Sequence, residues 1–167
     1  YCIIPIARGT ERSRSIGEVV AEVRLLVDAG YKEIVLTGVQ ISVFANDGDK
    51  AHGLRDLVTA LFAETNVPRL RLTSIAPWDL GESLLDLWRD PRLCRHLHLS
   101  LQSGSDAVLR RMRRPYTTAQ FARAVKLARA KIPDVGITTD VIVGFPGESE
   151  AEFAQSREFV ESMQFSR

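Results

Sequence analysis

Apolar residues along the chain recur alternately at helical and at strand spacing. Between residues 16 and 27 they follow the i, i+3, i+4, i+7 pattern, which predicts an amphipathic helix. Ser15, with Glu18 three residues later, suits a capping box at the start of that helix, and Gly30 is placed to end it. The run 33–37 that follows is short and apolar, so it predicts a buried strand.

The same alternation continues to the end of the chain. Further helices are predicted around residues 54–62, 80–88, 106–112, 121–128 and 153–163, with strands at 70–75, 96–102 and 137–143. Strands that alternate with helices form βαβ units and a parallel sheet. With right-handed crossovers, four such strands fit half of a barrel or half of an open doubly wound sheet. Ligands bind at the carboxyl ends of the strands in both architectures, so we expect function there.

Length and composition indicate one globular domain. The chain has 167 residues, of which 45% are hydrophobic and 26% charged. No apolar run approaches the roughly 18 residues that span a bilayer, and the start lacks the pattern of a secretion signal. We therefore predict a cytoplasmic protein without a membrane segment. Because the sequence opens at Tyr1 without Met, we expect it to be an excerpt.

Charge alone does not decide whether the partner is a nucleic acid. The net charge is +1, but arginines cluster locally, and arginine suits bidentate phosphate contacts. Solvated helix faces would explain the same clusters equally well. The candidate RNA-binding arginines are Arg8, Arg12, Arg14, Arg111, Arg113 and Arg114.

The two cysteines are too few for a disulfide framework. Cys94 lies between a predicted helix and a strand, and we interpret it as a small buried hydrophobic residue. His96 and His98 share one strand face, as metal ligands would, but the sequence offers no third ligand. We therefore expect these histidines to be structural or to face a substrate.

Five segments, taken in order, resemble the radical SAM (S-adenosylmethionine) methylthiotransferase family. Tyr1-Cys2 and the arginines that follow resemble the end of its C-x-x-x-C-x-x-C loop. The other four resemble the ends of the second to fifth barrel strands: Leu36–Gln40, Arg71–Ile75, His98–Asp106 and Thr139–Glu148. The sequences of these segments are most similar to the branch that acts on N6-threonylcarbamoyladenosine at tRNA position 37. Sister branches act on isopentenyladenosine in tRNA or on a ribosomal-protein aspartate.

The resemblance implies a partial TIM-type (β/α) barrel with parallel strands, a radical SAM core truncated at both ends. Residues 1–167 would form this incomplete domain, with the first strand and two cluster cysteines upstream and the last strand downstream. A second [4Fe–4S] cluster would belong to a further N-terminal domain. A C-terminal domain that contacts RNA would follow the core.

The resemblance also implies the chemistry. Replacing an unactivated aromatic C–H requires a radical oxidant, which this family obtains by reducing SAM at a [4Fe–4S] cluster held by three thiolates. Cys2 would supply one thiolate. Glu148 falls one residue late for the family's G-x-I-x-G-x-x-E pattern, so a carboxylate at the start of the last helix is the alternative. The implied SAM contacts are Tyr1, Thr37, Gly38, Val39, Gln40, Ser74, Ser100, Gln102, Asp140, Ile142 and Gly144.

The implied partners are tRNA, SAM and an electron donor such as flavodoxin or ferredoxin. The arginines named above would then contact tRNA phosphates. Two alternatives stay open at this stage. One is a cluster-free α/β domain that binds nucleotides or RNA, and the other is a different TIM-barrel enzyme with a phosphate-bearing substrate.

Overall fold

The computed structural model describes residues 3, 6–7, 9, 12–38, 41–44 and 53–166. The chain divides into two compact units. The N-terminal unit comprises residues 2–74 and 86–94, and the C-terminal unit comprises residues 75–85 and 95–167 together with residue 1. Each unit is built on a pair of parallel strands accompanied by helices, which confirms the predicted α/β class.

Among the described residues, two long helices accompany the strands of the N-terminal unit. Helix α1 (Ile16–Asp28) begins at the predicted capping box. The Ser15 backbone N–H donates to the Glu18 carboxylate (2.9 Å), and the Glu18 N–H donates to the Ser15 hydroxyl (3.3 Å). Helix α2 (Leu54–Glu64) buries one apolar stripe, as its i, i+3, i+4, i+7 spacing predicts. That stripe consists of Leu54, Leu57, Val58 and Leu61.

The strands of this unit are β1 (Ile34–Leu36) and β2 (Leu70–Leu72), paired in parallel with Ile34 opposite Leu70. Leu93 extends the pairing through an isolated parallel bridge to Leu70. The alternating side chains of these strands are buried on one face, as a half-buried sheet requires. Two short 3₁₀ helices also belong to the unit, Ile41–Val43 and Asp86–Arg89.

The C-terminal unit is built on β3 (His96–His98) and β4 (Gly136–Thr138), which are parallel, with Leu97 opposite Ile137. Leu97 and Ile137 are buried, and Phe121 is the largest fully buried side chain of the described residues. The helices of this unit are α3 (Glu82–Leu85), α4 (Asp106–Arg111), α5 (Thr118–Lys131) and α6 (Glu150–Met163), with a 3₁₀ turn at Pro77–Asp79.

The C-terminal strands are shorter than the predicted runs because a side chain interrupts their ladder. The Leu101 N–H donates to the Thr139 hydroxyl (3.0 Å) where a backbone carbonyl would continue the strand. That hydroxyl donates in turn to the Leu99 carbonyl (2.6 Å). Gln102 then adopts a left-handed φ of 68°. The regular strands therefore end at His98 and Thr138, and irregular backbone carries the residues beyond them.

Within the described residues, no helix combines the length and the apolar character needed to cross a bilayer. The longest of them, α5 and α6, have 14 residues each. A helical span requires about 20 apolar residues.

Candidate functional site

The carboxyl ends of β3 and β4 lie side by side and pair again beyond the interruption. The Gln102 N–H donates to the Asp140 carbonyl (2.8 Å), and the Ile142 N–H donates to the Gln102 carbonyl (2.8 Å). Gln102 and Val141 form the corresponding parallel bridge. Three of the residues implied to contact SAM, Gln102, Asp140 and Ile142, are thus held on one backbone ladder.

The loop after β3 is fixed against α6. The Gly104 N–H donates to the buried Ser156 hydroxyl (2.7 Å), and the Ser105 N–H donates to the Ser103 hydroxyl (3.1 Å). A Cβ at Gly104 would lie 2.6 Å from the Ser156 carbonyl oxygen, so this close approach requires glycine. These contacts hold Gln102 in its left-handed conformation, which costs a residue with a Cβ about 1–2 kcal/mol.

A hydrogen-bonded row of polar side chains lies on the face of β3 and β4 opposite the buried leucines. The Thr138 hydroxyl oxygen is 3.1 Å from His96 Nε2 and 3.0 Å from His98 Nδ1. His98 Nε2 lies 3.2 Å from Asp140 Oδ2 and 3.5 Å from the Ser100 hydroxyl. Because a hydroxyl carries one proton, at least one of the two imidazoles donates to Thr138. The row ends at Asp140, whose side chain is 71% exposed.

The histidines lie on the strand face that the sequence predicts. Among the described residues, no group of three His, Cys, Asp or Glu side chains could hold a metal ion. A structural or substrate-facing role for His96 and His98 stays a prediction. Thr138, which joins them, is not among the residues predicted from the sequence. Its two-residue spacing from Asp140 within the predicted strand 137–143 is the signal that places it on this face.

The turn after β4 exposes apolar side chains beside a glycine. Ile142 and Val143 are 36% and 65% exposed. Gly144 has a φ of 73°, and its N–H donates to the Glu148 carboxylate (2.6 Å). The Phe145 N–H donates to the same oxygen at 3.2 Å. The Glu148 carboxylate thus closes this turn just before α6.

The corresponding residues of the N-terminal unit follow β1 and β2. Thr37 and Gly38 come directly after β1. The Thr73 N–H and hydroxyl both donate to the Leu36 carbonyl at 3.2 Å, which ties the ends of the two strands together. Ser74 then adopts a left-handed φ of 58°. A left-handed non-glycine residue therefore follows a strand in each unit, as strained residues at functional sites often do.

Cys94 belongs to a different part of the N-terminal unit, near an ion-pair cluster. Arg71 and Arg69 donate hydrogen bonds to the Glu33 carboxylate (2.6 and 3.0 Å), and these bonds lower the pKa of Glu33 to about 2. Burial raises the pKa of the Cys94 thiol, and the Glu33 charge adds to this effect. Cys94 is 7% exposed, which confirms the buried small residue that the sequence predicts.

Five of the predicted site residues lie outside the described part of the chain: Tyr1, Cys2, Arg8, Val39 and Gln40. The cluster thiolate, the aromatic contact to SAM and part of the loop after β1 therefore remain predictions.

The described candidate arginines differ in their partners. Arg14 pairs with Glu22, and Arg111 makes a bidentate ion pair with Glu152 (2.8 and 3.0 Å). The hydrogen bonds from Arg111 and from the Ser149 backbone lower the pKa of Glu152 to about 2. Arg113 is exposed and has no acidic partner among the described residues. The other two are exposed Arg12 and half-buried Arg114.

The groups at the end of β3 and β4 fit a nucleoside cofactor such as SAM. The exposed Asp140 carboxylate can accept hydrogen bonds from hydroxyl or amino groups. Ile142 and Val143 present an apolar surface for a purine ring, and Gly144 leaves the backbone open beside it. The described residues do not supply the three thiolates of an iron–sulfur cluster, so the cluster cannot be placed on them.

Comparison with known proteins identifies the family. Residues 1–160 match the Radical SAM superfamily. The tRNA-2-methylthio-N(6)-dimethylallyladenosine synthase of Thermoanaerobacter sp. (strain X514) is 39% identical over 99% of this chain and 35% of that protein. The Threonylcarbamoyladenosine tRNA methylthiotransferase MtaB of Thermotoga maritima is 44% identical over 100% of this chain and 38% of that protein. The chain spans little more than a third of the length of these relatives.

A solved structure supports the fold. The radical SAM methyltransferase TsrM from Kitasatospora setae, with tryptophan and the SAM analogue aza-SAM bound, matches with a TM-score of 0.70. The match covers 92% of this chain and 29% of that chain at 20% identity, so it shows the fold alone. The predicted barrel-type α/β class is confirmed.

The resemblance seen in the sequence is therefore confirmed, because the curated relatives are methylthiotransferases that modify tRNA. The relatives include both the dimethylallyladenosine and the threonylcarbamoyladenosine kinds. Radical SAM proteins use SAM together with a [4Fe–4S] cluster, which bears out these two predicted cofactors, and the second cluster stays a prediction. The match covers all but seven residues, and this chain belongs to the radical SAM superfamily.

Proposed function

We propose that this chain is the SAM-binding core of a tRNA methylthiotransferase. The reaction converts N6-threonylcarbamoyladenosine at tRNA position 37 to its 2-methylthio derivative. One observation carries the proposal: in a chain of this family, Gln102, Asp140 and Ile142 share one backbone ladder at the carboxyl end of parallel strands. When bound, SAM and its cluster would supply the radical oxidant that replacement of an aromatic C–H requires.

Each described residue of the C-terminal row has a task in binding. Asp140 accepts hydrogen bonds from the cofactor and is held in place by His98 (3.2 Å). Ile142 would pack on the purine ring, and Gly144, which has no side chain, would let the ring approach the backbone closely. Gln102 and Ser100 direct polar groups toward the cofactor from the end of β3. In this proposal these residues position the cofactor and do not transfer protons.

Other SAM contacts that the resemblance implies belong to the N-terminal unit. Thr37, Gly38 and Ser74 contribute the ends of β1 and β2. Tyr1, Val39 and Gln40 add the remaining SAM contacts, and Cys2 contributes one thiolate to the cluster. Residues 1–167 then form a radical SAM core that is completed by further sequence on both sides.

The proposed partners are tRNA and an electron donor. The exposed guanidinium of Arg113, with Arg8, Arg12, Arg14, Arg111 and Arg114, would contact tRNA phosphates. Arg14 and Arg111 contribute less in this view, because Glu22 and Glu152 already pair with them. An electron donor such as flavodoxin or ferredoxin reduces the cluster, and the protein works in the cytoplasm.

The choice of substrate rests on the sequences of two segments and on similarity to known proteins. The segments Leu36–Val39 and His98–Ser105 resemble the threonylcarbamoyl branch, and the 44% identical relative carries that name. The second candidate substrate is dimethylallyladenosine in tRNA, which the name of another relative, 39% identical, favours. A ribosomal-protein aspartate is a third possibility, supported by resemblance alone.

Mass spectrometry of tRNA nucleosides from cells that lack the gene tests this proposal. We expect loss of the 2-methylthio derivative of threonylcarbamoyladenosine and its return when the intact gene is restored. A Cys2→Ala gene should not restore it. Loss of the dimethylallyl derivative would instead select the second substrate. An unchanged nucleoside pattern would refute a tRNA methylthiotransferase.

A further inference from the structure

A groove of about 330 Å³ in the C-terminal unit lies outside the strand-end row. Trp78, on the turn after β2, and Arg123, on α5, both line it. Pro77 and Pro115 contribute rigid apolar surface between them. None of the residues assigned above to SAM lines this groove, so the proposed site does not explain it.

Trp78 is unusually open for its size. Its side chain is 46% exposed, whereas Trp88 is 7% exposed and donates its indole N–H to the Cys94 carbonyl (2.8 Å). A half-exposed indole in a groove is typical of a binding surface, because aromatic surface is otherwise removed from water.

The indole is held from behind by a rigid aromatic stack. The Tyr116 ring lies 5.3 Å from the Trp78 ring with a 30° tilt, and Phe121 lies 6.3 Å beyond Tyr116. The Tyr116 hydroxyl donates to the Leu101 and Ser100 carbonyl oxygens (2.8 and 3.0 Å). The stacking surface is therefore ordered before any ligand arrives, which lowers the entropy cost of binding.

The charge of the groove indicates an anionic ligand. Among the described residues that line it, Arg123 alone is charged, and no acidic side chain faces it there. Arg123 is exposed on α5. A flat aromatic face beside a guanidinium is the combination that binds single-stranded RNA, through base stacking and a phosphate contact.

We propose that the groove binds an unpaired nucleobase of RNA, which stacks on Trp78 while Arg123 contacts a neighbouring phosphate. This inference rests on the proposed tRNA function and adds a second contact to it. Tyr116 links the groove directly to Ser100 and Leu101 on the strand that carries the SAM row. The proposed stacking surface is therefore attached to the segment that carries Ser100, one of the implied SAM contacts.

Titration of the intact protein with an RNA hairpin tests this inference. The probe has a seven-nucleotide unpaired loop, and its control is a duplex of the same stem without a loop. Binding is followed by tryptophan emission and by anisotropy of a labelled hairpin. We expect the hairpin to quench Trp78 and the duplex not to. In Trp78→Phe the emission of buried Trp88 should stay unchanged, which makes that indole an internal control.

The variants give graded expectations. Trp78→Ala should weaken hairpin binding about 10- to 100-fold, and Trp78→Phe should stay within about threefold because it keeps a ring. Arg123→Gln should lower the slope of log affinity against log salt by about one.

Several outcomes would overturn the inference. Equal hairpin affinity for wild type and Trp78→Ala would remove the groove from RNA binding while leaving the proposed function intact. Quenching by an apolar peptide but not by the hairpin would assign the groove to a protein partner. A dimer that Trp78→Ala dissociates in sedimentation experiments would make it a contact between copies. Absence of any hairpin binding would count against the proposed function as well.

Discussion

The loops that follow β1 and β3 each contain a glycine, but different neighbours surround the two glycines. Each loop carries a glycine close to the strand end, Gly38 after β1 and Gly104 after β3. Among the described residues, a Cβ at Gly38 would meet the Ile41 side chain at 3.1 Å, and this side chain can shift. A Cβ at Gly104 would meet the backbone of Ser156 at 2.6 Å, which cannot. The backbone of α6 therefore fixes the loop after β3 at Gly104, whereas a side chain that can move borders Gly38 after β1.

The polar faces of the two strand pairs also differ. In the N-terminal unit the Glu33 carboxylate forms ion pairs with both Arg71 and Arg69, so its charge is already compensated within the fold. In the C-terminal unit the row through Thr138 and His98 ends at an exposed carboxylate. The first arrangement stabilises the fold, and the second leaves a charged group available to a ligand.

The largest effect is expected at Gly104. Gly104→Ala forces a methyl group into the α6 backbone and displaces the bond to Ser156, so it should destabilise the protein by about 3 kcal/mol. Urea unfolding measures this loss. Gly38→Ala, the matched variant, should cost less than about 1 kcal/mol because its neighbour is a methyl group. Equal costs would remove the distinction between the two loops.

The hydroxyl of Thr138 is the next most important group. Thr138→Val keeps the shape but leaves two imidazole nitrogens without their shared partner, and should cost about 1–2 kcal/mol. Thr138→Ser should restore most of this stability. Long-range ¹H–¹⁵N spectra of the histidine rings should show changed tautomers in the valine variant alone. Unchanged spectra would mean that the row is not coupled.

Acid should weaken the N-terminal cluster. The pKa of Glu33 is about 2 in the folded protein against an ordinary 4.5, so its stabilisation is present above about pH 4.5 and is lost as pH falls toward 2. Glu33→Gln should cost about 1 kcal/mol at pH 7, after allowing for solvent screening. The gap between the two proteins in urea unfolding should close between about pH 5 and pH 2. A gap independent of pH would contradict this account.

The smallest effect has the opposite sign. Gln102→Gly relieves a left-handed φ of 68° and should stabilise the fold by about 0.5–1 kcal/mol. Binding of SAM by the reconstituted intact protein should weaken at the same time, because the side chain is lost. Ser74→Gly offers the same test in the N-terminal unit, where φ is 58°. Loss of stability in both variants would refute backbone strain at the strand ends.

Much of the fold follows from local sequence signals. The capping box of Ser15 and Glu18 and the apolar spacing of α2 determine where those helices start and which face they bury. Alternation of helices and strands was sufficient to predict parallel pairing. The row at the strand ends followed from the same topology, since parallel strands bring their carboxyl ends to one edge.

Features that depend on tertiary contacts could not be read from the sequence. The Thr139 hydroxyl replaces a backbone acceptor for Leu101, so the strands end sooner than their apolar runs. Arg111 is neutralised by Glu152, which is 41 residues away, and an arginine cluster alone does not reveal such a partner. The left-handed backbone of Gln102 likewise depends on how the following loop packs on α6.

The central claim is that the strand ends of this chain hold SAM for radical chemistry. The most direct test measures 5′-deoxyadenosine formed from SAM by the anaerobically reconstituted, reduced intact protein. We expect product from the wild-type protein and at least about tenfold less from Asp140→Ala with the same iron content. A fully loaded protein that leaves SAM uncleaved would contradict the account.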